Sequence, residues 1–165
     1  MMTIGRTLNR LQMQVRQFMF AVGQTIRDKP AVPTEDETRL RVLLVLEEAF
    51  EFAEACTDAS DLGYIHHLKE LSLAAYRKND SPVRIEVNLA AAADALADLD
   101  YVSEGARQCM GIDGNPIAEE VQRTNMAKLA GGKDANGKHM KPAGWKPPDI
   151  AKLLKEQGWE GDENA

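Results

Sequence analysis

Four glutamates, Glu47, Glu48, Glu51 and Glu54, follow an apolar run in "VLLVLEEAFEFAEACTD", residues 42–58. At about 100° per residue, three of them (all but Glu48) share one helical stripe with the leucines of the preceding turns. The opposite side is also apolar, so we expect this helix to be largely buried. Neither Glu47 nor Glu48 has a lysine or arginine four residues away. Such carboxylates need positive charge from elsewhere or a raised pKa.

A second acidic pair, Asp94 and Asp98, shares a helix face with small and apolar residues. Two such helices packed antiparallel would bring about five carboxylates into one cavity, where a hard divalent cation is the usual remedy. We therefore expect Mg²⁺, with Mn²⁺ as a substitute. An isolated EExxE is more often a solvated acidic face. The flanking apolar residues, the missing local cations and the second pair favour the metal site.

Composition limits the class of protein. The 165 residues are 44% hydrophobic with a net charge of -6, which indicates one soluble domain and argues against nucleic acid as a partner. No apolar run is long enough to span a membrane, and no signal peptide is evident, so we expect a cytoplasmic protein. Cys56 and Cys109, the only cysteines, are expected to be buried free thiols.

Helical periodicity dominates and strand signals are missing, so the predicted fold class is all-α, a bundle of about four to five helices. We predict a catalytic helical core over residues 1–130. A Gly-, Pro- and Lys-rich loop or lid and a short terminal helix complete the same domain over 131–165. Capping signals place helix starts at Thr34 with Glu37, at Ser81 with Pro82, and at Asn115 with Pro116. The predicted helices are 7–25, 34–56, 64–77, 81–110, 117–129 and 150–158.

Two short motifs carry a family resemblance. "EEAFE" (47–51) and "ADLDYV" (97–102) resemble the EExxE and ExxD motifs of the all-α nucleoside triphosphate pyrophosphohydrolase superfamily, which includes MazG, dimeric dUTPases and phosphoribosyl-ATP pyrophosphohydrolases. "RTNMAKL" (123–129) and "GKHMKPAGWKPPDI" (137–150) are similar to the tail of the short, single-domain MazG-like group of bacteria and phages. The opening "FAVGQTIRDKPAVP" (20–33) also resembles that group.

The resemblance implies hydrolysis of a nucleoside triphosphate to the monophosphate and diphosphate by a homodimer or higher homo-oligomer. dUTP or another pyrimidine deoxynucleotide is a candidate substrate, and housecleaning or nucleotide-pool control a candidate role. Glu47, Glu48, Glu51 and Asp98 would hold the metal ions, and one of the glutamates would act as general base. The ExxD glutamate falls on Ala95, which cannot bind metal. Asp94 is the natural substitute, and the number of metal ions stays open.

The tail supplies groups for substrate. Its cations would offset triphosphate charge, its amide would contact sugar or base, and its tryptophan would stack on the base or anchor the lid. The alternative is that the lysines are solvated and the tryptophan fills a gap in the core. The predicted substrate-binding residues are Arg123, Asn125, Lys128, Lys138, Lys141 and Trp145. His66 and His67 are expected at the surface.

Two other classes of protein compete with the pyrophosphohydrolase. A di-iron carboxylate bundle would need ExxH pairs, and no glutamate here has a histidine three residues later. A catalytically weak or silent MazG-like module that binds a nucleotide or a protein partner would tolerate Ala95.

Overall fold

The computed structural model of the chain describes residues 8–77, 81–132 and 140–161. These residues form helices and loops without a strand, which confirms the predicted all-α class. The helices are α1 (Arg10–Ala21), α2 (Glu35–Ala55), α3 (Leu62–Ala74), α4 (Leu89–Met110), α5 (Gly114–Ala127), a 3-10 helix (Lys128–Gly131) and α6 (Ile150–Glu156). In this described part of the chain, no helix combines the length and the apolar character needed to cross a bilayer.

The chain divides into two compact units. The central unit, Ala31–Ala95, contains α2 and α3, which pack on each other, and it also contains the first residues of α4. The terminal unit, Met1–Pro30 with Leu96–Ala165, contains the rest of α4 and has α5 in contact with α1, with the 3-10 helix and with α6. The prediction of one helical core over 1–130 stays a prediction.

The start of α2 is where the structure confirms a predicted helix cap most clearly. The Thr34 hydroxyl accepts from the Glu37 amide at 3.3 Å, and the Glu37 carboxylate accepts from the Thr34 amide at 2.8 Å. This reciprocal capping box satisfies two amides that the first helical turn leaves without partners, as predicted.

The predicted start of α4 at Ser81 is wrong, because the helix begins only at Leu89. The Ser81 hydroxyl is engaged elsewhere: it donates to the Ala75 carbonyl at 2.6 Å and accepts from Arg39 at 2.6 Å. Residues 83–87 alternate between half-buried and exposed. Asn88 then caps α4, since its side chain accepts from the Ala91 amide at 3.1 Å.

The prediction that α2 is largely buried is also wrong for the single chain. Arg39 is its one buried residue, and Phe52 is 50% exposed. The helix has its main contact with α3, so much of its apolar circumference stays uncovered. Cys56 and Cys109 are exposed, not buried as expected.

Candidate active site

The motif glutamates lie on the second half of α2. Glu47, Glu48 and Glu51 are exposed, whereas the Glu54 side chain is only 21% exposed. The Glu47 side chain forms no hydrogen bond or ion pair with another residue that the structure describes. Three carboxylate-bearing residues within little more than one turn are therefore exposed to solvent.

A cation from α3 reaches this stripe, which the sequence analysis missed. The Lys69 ammonium lies 3.2 Å from each carboxylate oxygen of Glu54 and 3.9 Å from Glu51 Oε1. His66, one turn earlier, lies 3.7 Å from Glu54 through Nε2. The charge missing on α2 itself is thus supplied in part by the neighbouring helix. We call Glu51, Glu54, His66 and Lys69 the α2–α3 charge cluster.

A sequence signal for Lys69 existed. It occupies the same helical stripe as Leu62, Ile65 and Leu73, the last of which is buried. A lysine at a core position needs a partner, because a buried ammonium is costly unless it is paired. The spacing of charges along α2 alone does not reveal this pairing, because the lysine lies on another helix.

Asp94 and Asp98 of α4 are exposed and belong to different units, Asp94 to the central and Asp98 to the terminal one. Neither side chain has a hydrogen bond or ion pair with another described residue. Ala95 stands between them, where the ExxD motif has its glutamate.

The residues fit a hard divalent cation by donor chemistry, since carboxylate oxygens are the ligands that Mg²⁺ prefers. Within residues 8–77, 81–132 and 140–161, no three acidic, histidine or cysteine side chains are gathered closely enough to hold an ion. The predicted ligand set therefore stays a prediction.

On α5, Arg123 forms a bidentate ion pair with Glu120, at 2.7 Å through Nε and 2.6 Å through a terminal nitrogen. The hydrogen bonds from Arg123, aided by the Asp149 amide at 3.3 Å, lower the pKa of Glu120 to about 2. The same pairing raises the pKa of Arg123. This guanidinium is thus committed within the chain in the substrate-free protein.

The remaining tail residues that the structure describes gather around Trp145. Its indole N–H donates to the Thr124 carbonyl at 3.0 Å. The Lys141 and Lys128 ammonium groups lie 4.5 Å and 5.5 Å from its ring centre, within cation–π range. Lys128 also donates to the Asn125 side-chain oxygen at 2.9 Å. Lys138 lies outside the described residues.

The backbone of the tail approaches the 3-10 helix closely at one glycine. A Cβ on Gly131 would overlap the carbonyl oxygen of Met140, and the Met140 amide donates to the Gly132 carbonyl at 3.0 Å. Together with the Trp145 hydrogen bond to Thr124, these contacts hold the tail against α5 and the 3-10 helix. In the substrate-free chain, the tryptophan is an anchor.

Two apolar clefts of the terminal unit have volumes of about 370 and 520 Å³. The first lies beside Met110 and Trp159, and the second beside Met13 and Phe20. Neither is lined by a predicted site residue.

The helical fold of the described residues, together with a matching family model and a similar solved structure, indicates the class, an all-α pyrophosphohydrolase. The phosphoribosyl-ATP pyrophosphohydrolase family model matches residues 15–125, and the chain belongs to that family. It is therefore an enzyme, a hydrolase that acts on acid anhydrides. Pyrophosphohydrolases of this kind generally use divalent metal ions.

A solved structure supports the fold over nearly the whole chain. It is the crystal structure of "a putative NTP pyrophosphohydrolase" from Exiguobacterium sp. 255-15, with 25% sequence identity and a TM-score of 0.68. The match covers 92% of this chain and 100% of that one. Among curated proteins there is no significant match.

Proposed function

We propose that the protein hydrolyses a nucleoside triphosphate to the monophosphate and diphosphate with Mg²⁺, and that it is of the short MazG-like type. The observation that carries the proposal is the exposed carboxylate set of α2, Glu47, Glu48 and Glu51, inside the segment that matches the family. The similar structure, whose printed name is an NTP pyrophosphohydrolase, supports a nucleotide substrate.

In this proposal Glu47, Glu48, Glu51 and Asp98 hold the metal, and Asp94 replaces the carboxylate missing at Ala95. An ion held by these carboxylates would supply positive charge to the phosphates and polarise the phosphoryl group. One glutamate outside tight coordination takes the proton of the attacking water as the water oxygen bonds to phosphorus and the anhydride bond breaks. The diphosphate leaves with the bonding electrons.

Arg123, Asn125, Lys128, Lys138, Lys141 and Trp145 are proposed substrate contacts. Support comes from the positive charge that Lys128 and Lys141 bring to one aromatic ring. Arg123 already donates two hydrogen bonds to Glu120. To bind a phosphate, it must either release Glu120 or use the guanidinium donors that Glu120 does not occupy.

The test is diphosphate release from all common ribo- and deoxynucleoside triphosphates, with dUTP and phosphoribosyl-ATP included, with Mg²⁺, with Mn²⁺ and with chelator. Turnover of at least one triphosphate that needs the metal is expected. Absence of turnover with every triphosphate would remove the proposed function and leave the silent binding module, which Ala95 keeps as the second candidate.

Variants locate the chemistry. Glu48→Gln and Glu51→Gln should abolish hydrolysis with little change, or a gain, in the melting temperature of the metal-free protein, because they relieve repulsion on α2. Glu86→Gln, an exposed glutamate outside the motif, is the matched control and should change neither. A marked fall in melting temperature would make the motif glutamates structural.

A second pair of variants addresses Ala95. Asp94→Asn should lower activity strongly, and adding Ala95→Glu to that variant should restore part of it by returning the motif carboxylate. If Asp94→Asn retains full activity, Asp94 is not the substitute ligand.

We also propose a homodimer or higher homo-oligomer. Apolar side chains of α4 within the terminal unit are exposed in the single chain: Leu96, Leu99, Tyr101 and Val102. Uncovered apolar surface of this kind favours association. Light scattering at assay concentration should show more than one chain, and a monomer there would refute it.

A further inference from the structure

Lys69 of α3 is placed unlike an ordinary surface lysine. The Lys69 side chain is 17% exposed and its partner Glu54 is 21% exposed. The Arg77–Glu70 pair, which also starts from α3, is more than half exposed on both sides. Lys69 is therefore held in the packed contact between α2 and α3, where its position is fixed.

Glu54 is the anchor of this lysine. Both of its carboxylate oxygens lie 3.2 Å from the ammonium, so the contact is a charge-assisted hydrogen bond with either oxygen available. Glu51, one turn before, lies 3.9 Å away, which is an ion pair and not a hydrogen bond. The side chain of Glu51 is 54% exposed, so it keeps room for another partner.

From this geometry we infer that Lys69 is a positioning residue for the proposed metal site, held by Glu54 and restricting the carboxylate of Glu51 to the orientation in which it binds the ion. The inference rests on the proposed function, since it assigns Glu51 to metal. Groups that orient a ligand in this way commonly change metal affinity or activity by about 10–100-fold when removed.

Lys69 could also affect metal binding in the opposite direction, so the direction of the change in affinity is what the test reads. An ammonium close to the site also repels a cation, so a lysine that only balances charge would weaken metal binding, and its loss would tighten it. Positioning predicts the reverse. Substituting Lys69 thus separates the two roles by the direction of the change.

The experiment measures Mn²⁺ binding to the full-length, nucleotide-free protein by calorimetry, and separately the metal dependence of hydrolysis. For Lys69→Met we expect binding weaker by about tenfold and a higher metal concentration for half-maximal rate, with kcat at saturating metal changed much less. Lys69→Arg should recover most of the affinity. Glu54→Gln should weaken binding to a smaller extent, because Lys69 loses its charged anchor.

The matched control is Arg77→Met, which removes an exposed cation of the same sign near the end of α3 and should leave Mn²⁺ binding unchanged. Circular dichroism checks that the Lys69→Met chain is folded. If it is not, the comparison of Lys69→Arg with Glu54→Gln decides: unchanged binding in both overturns the inference. Mn²⁺ binding to Lys69→Met that is equal or tighter also overturns it.

Glu51→Gln distinguishes this inference from the proposed function. If Glu51→Gln abolishes Mn²⁺ binding and hydrolysis while Lys69→Met changes neither, only the role of Lys69 falls. If Glu51→Gln itself leaves both intact, the proposed site and the inference fall together.

Discussion

Arg39 offers the sharpest stability test because it is the one buried charged side chain of α2. Its guanidinium donates to Glu35 Oε1 at 2.7 and 3.1 Å, to the Ser81 hydroxyl at 2.6 Å and to the Val83 carbonyl at 2.8 Å. These bonds tie the first turns of α2 to the extended segment that leads into α4. Arg39→Met keeps most of the side-chain volume and removes all of them.

The expected loss follows from what each acceptor does afterwards. Glu35 is mostly exposed and regains water, so its contribution is small. Ser81 and Val83 are half-buried, and each keeps one longer hydrogen bond at 3.2 Å, from the Val83 amide to the Ser81 hydroxyl and from that hydroxyl to the Val83 carbonyl. The loss of each bond from the charged guanidinium therefore costs about 1.5 kcal/mol. We expect a decrease in the free energy of unfolding of about 3 kcal/mol. For a chain of this size that is a fall in melting temperature of roughly 6–12 °C.

Urea denaturation and thermal melting of the metal-free protein measure this loss. Arg16→Met is the control, since the Arg16–Asp28 ion pair is exposed and such pairs contribute at most about 1 kcal/mol. Arg39→Lys should lie between the two, because an ammonium cannot reproduce the forked donor geometry. Equal losses for Arg39→Met and Arg16→Met would refute the assignment of Arg39 as the tie between α2 and residues 81–88.

Two further predictions concern the docked tail. Trp145→Phe removes the hydrogen bond to the Thr124 carbonyl and should lower the free energy of unfolding by about 1 kcal/mol. Trp145→Ala also removes the cation–π contacts and should lower it by about 2 kcal/mol. Amide exchange over residues 140–149 should be faster in both variants. The pKa of Glu120 is about 2 in the folded chain against 4.5 ordinarily, so its stabilising effect is complete above pH 4.5 and is lost as the pH falls toward 2. Glu120→Gln should flatten that acid-side decline in melting temperature, and an unchanged acid profile would contradict the assignment.

Local signals in the sequence predicted the fold class and the start of α2, whereas α5 begins at Gly114 and is capped by Asp113, not by Asn115 as predicted. Thr34 with Glu37 succeeds because a capping box is complete within four residues and needs nothing from the rest of the chain. Ser81 with Pro82 carries an equally good local signal and fails. Its hydroxyl is claimed by groups distant in sequence, Arg39 and the Ala75 carbonyl, which no local pattern displays.

Burial was predicted less well, for a related reason. Hydrophobic periodicity shows which faces of α2 are apolar but not what covers them. Phe52 lies on such a face and is half exposed in the single chain. The expectation that α2 is buried assumed a covering partner, and α3 covers only part of the helix.

The four glutamates of α2 divide into two kinds. Glu54 is half-buried, and both of its carboxylate oxygens are paired with Lys69, so they are poorly placed to bind a metal ion. The three exposed glutamates, Glu47, Glu48 and Glu51, are those of the EExxE motif. Spacing alone placed Glu54 on the same stripe as two of them, and only its partner on α3 separates a structural carboxylate from candidate ligands. The negative charge on α2 is thus balanced in two ways: Lys69 of α3 pairs with Glu54, and the proposed metal ion would pair with the motif glutamates.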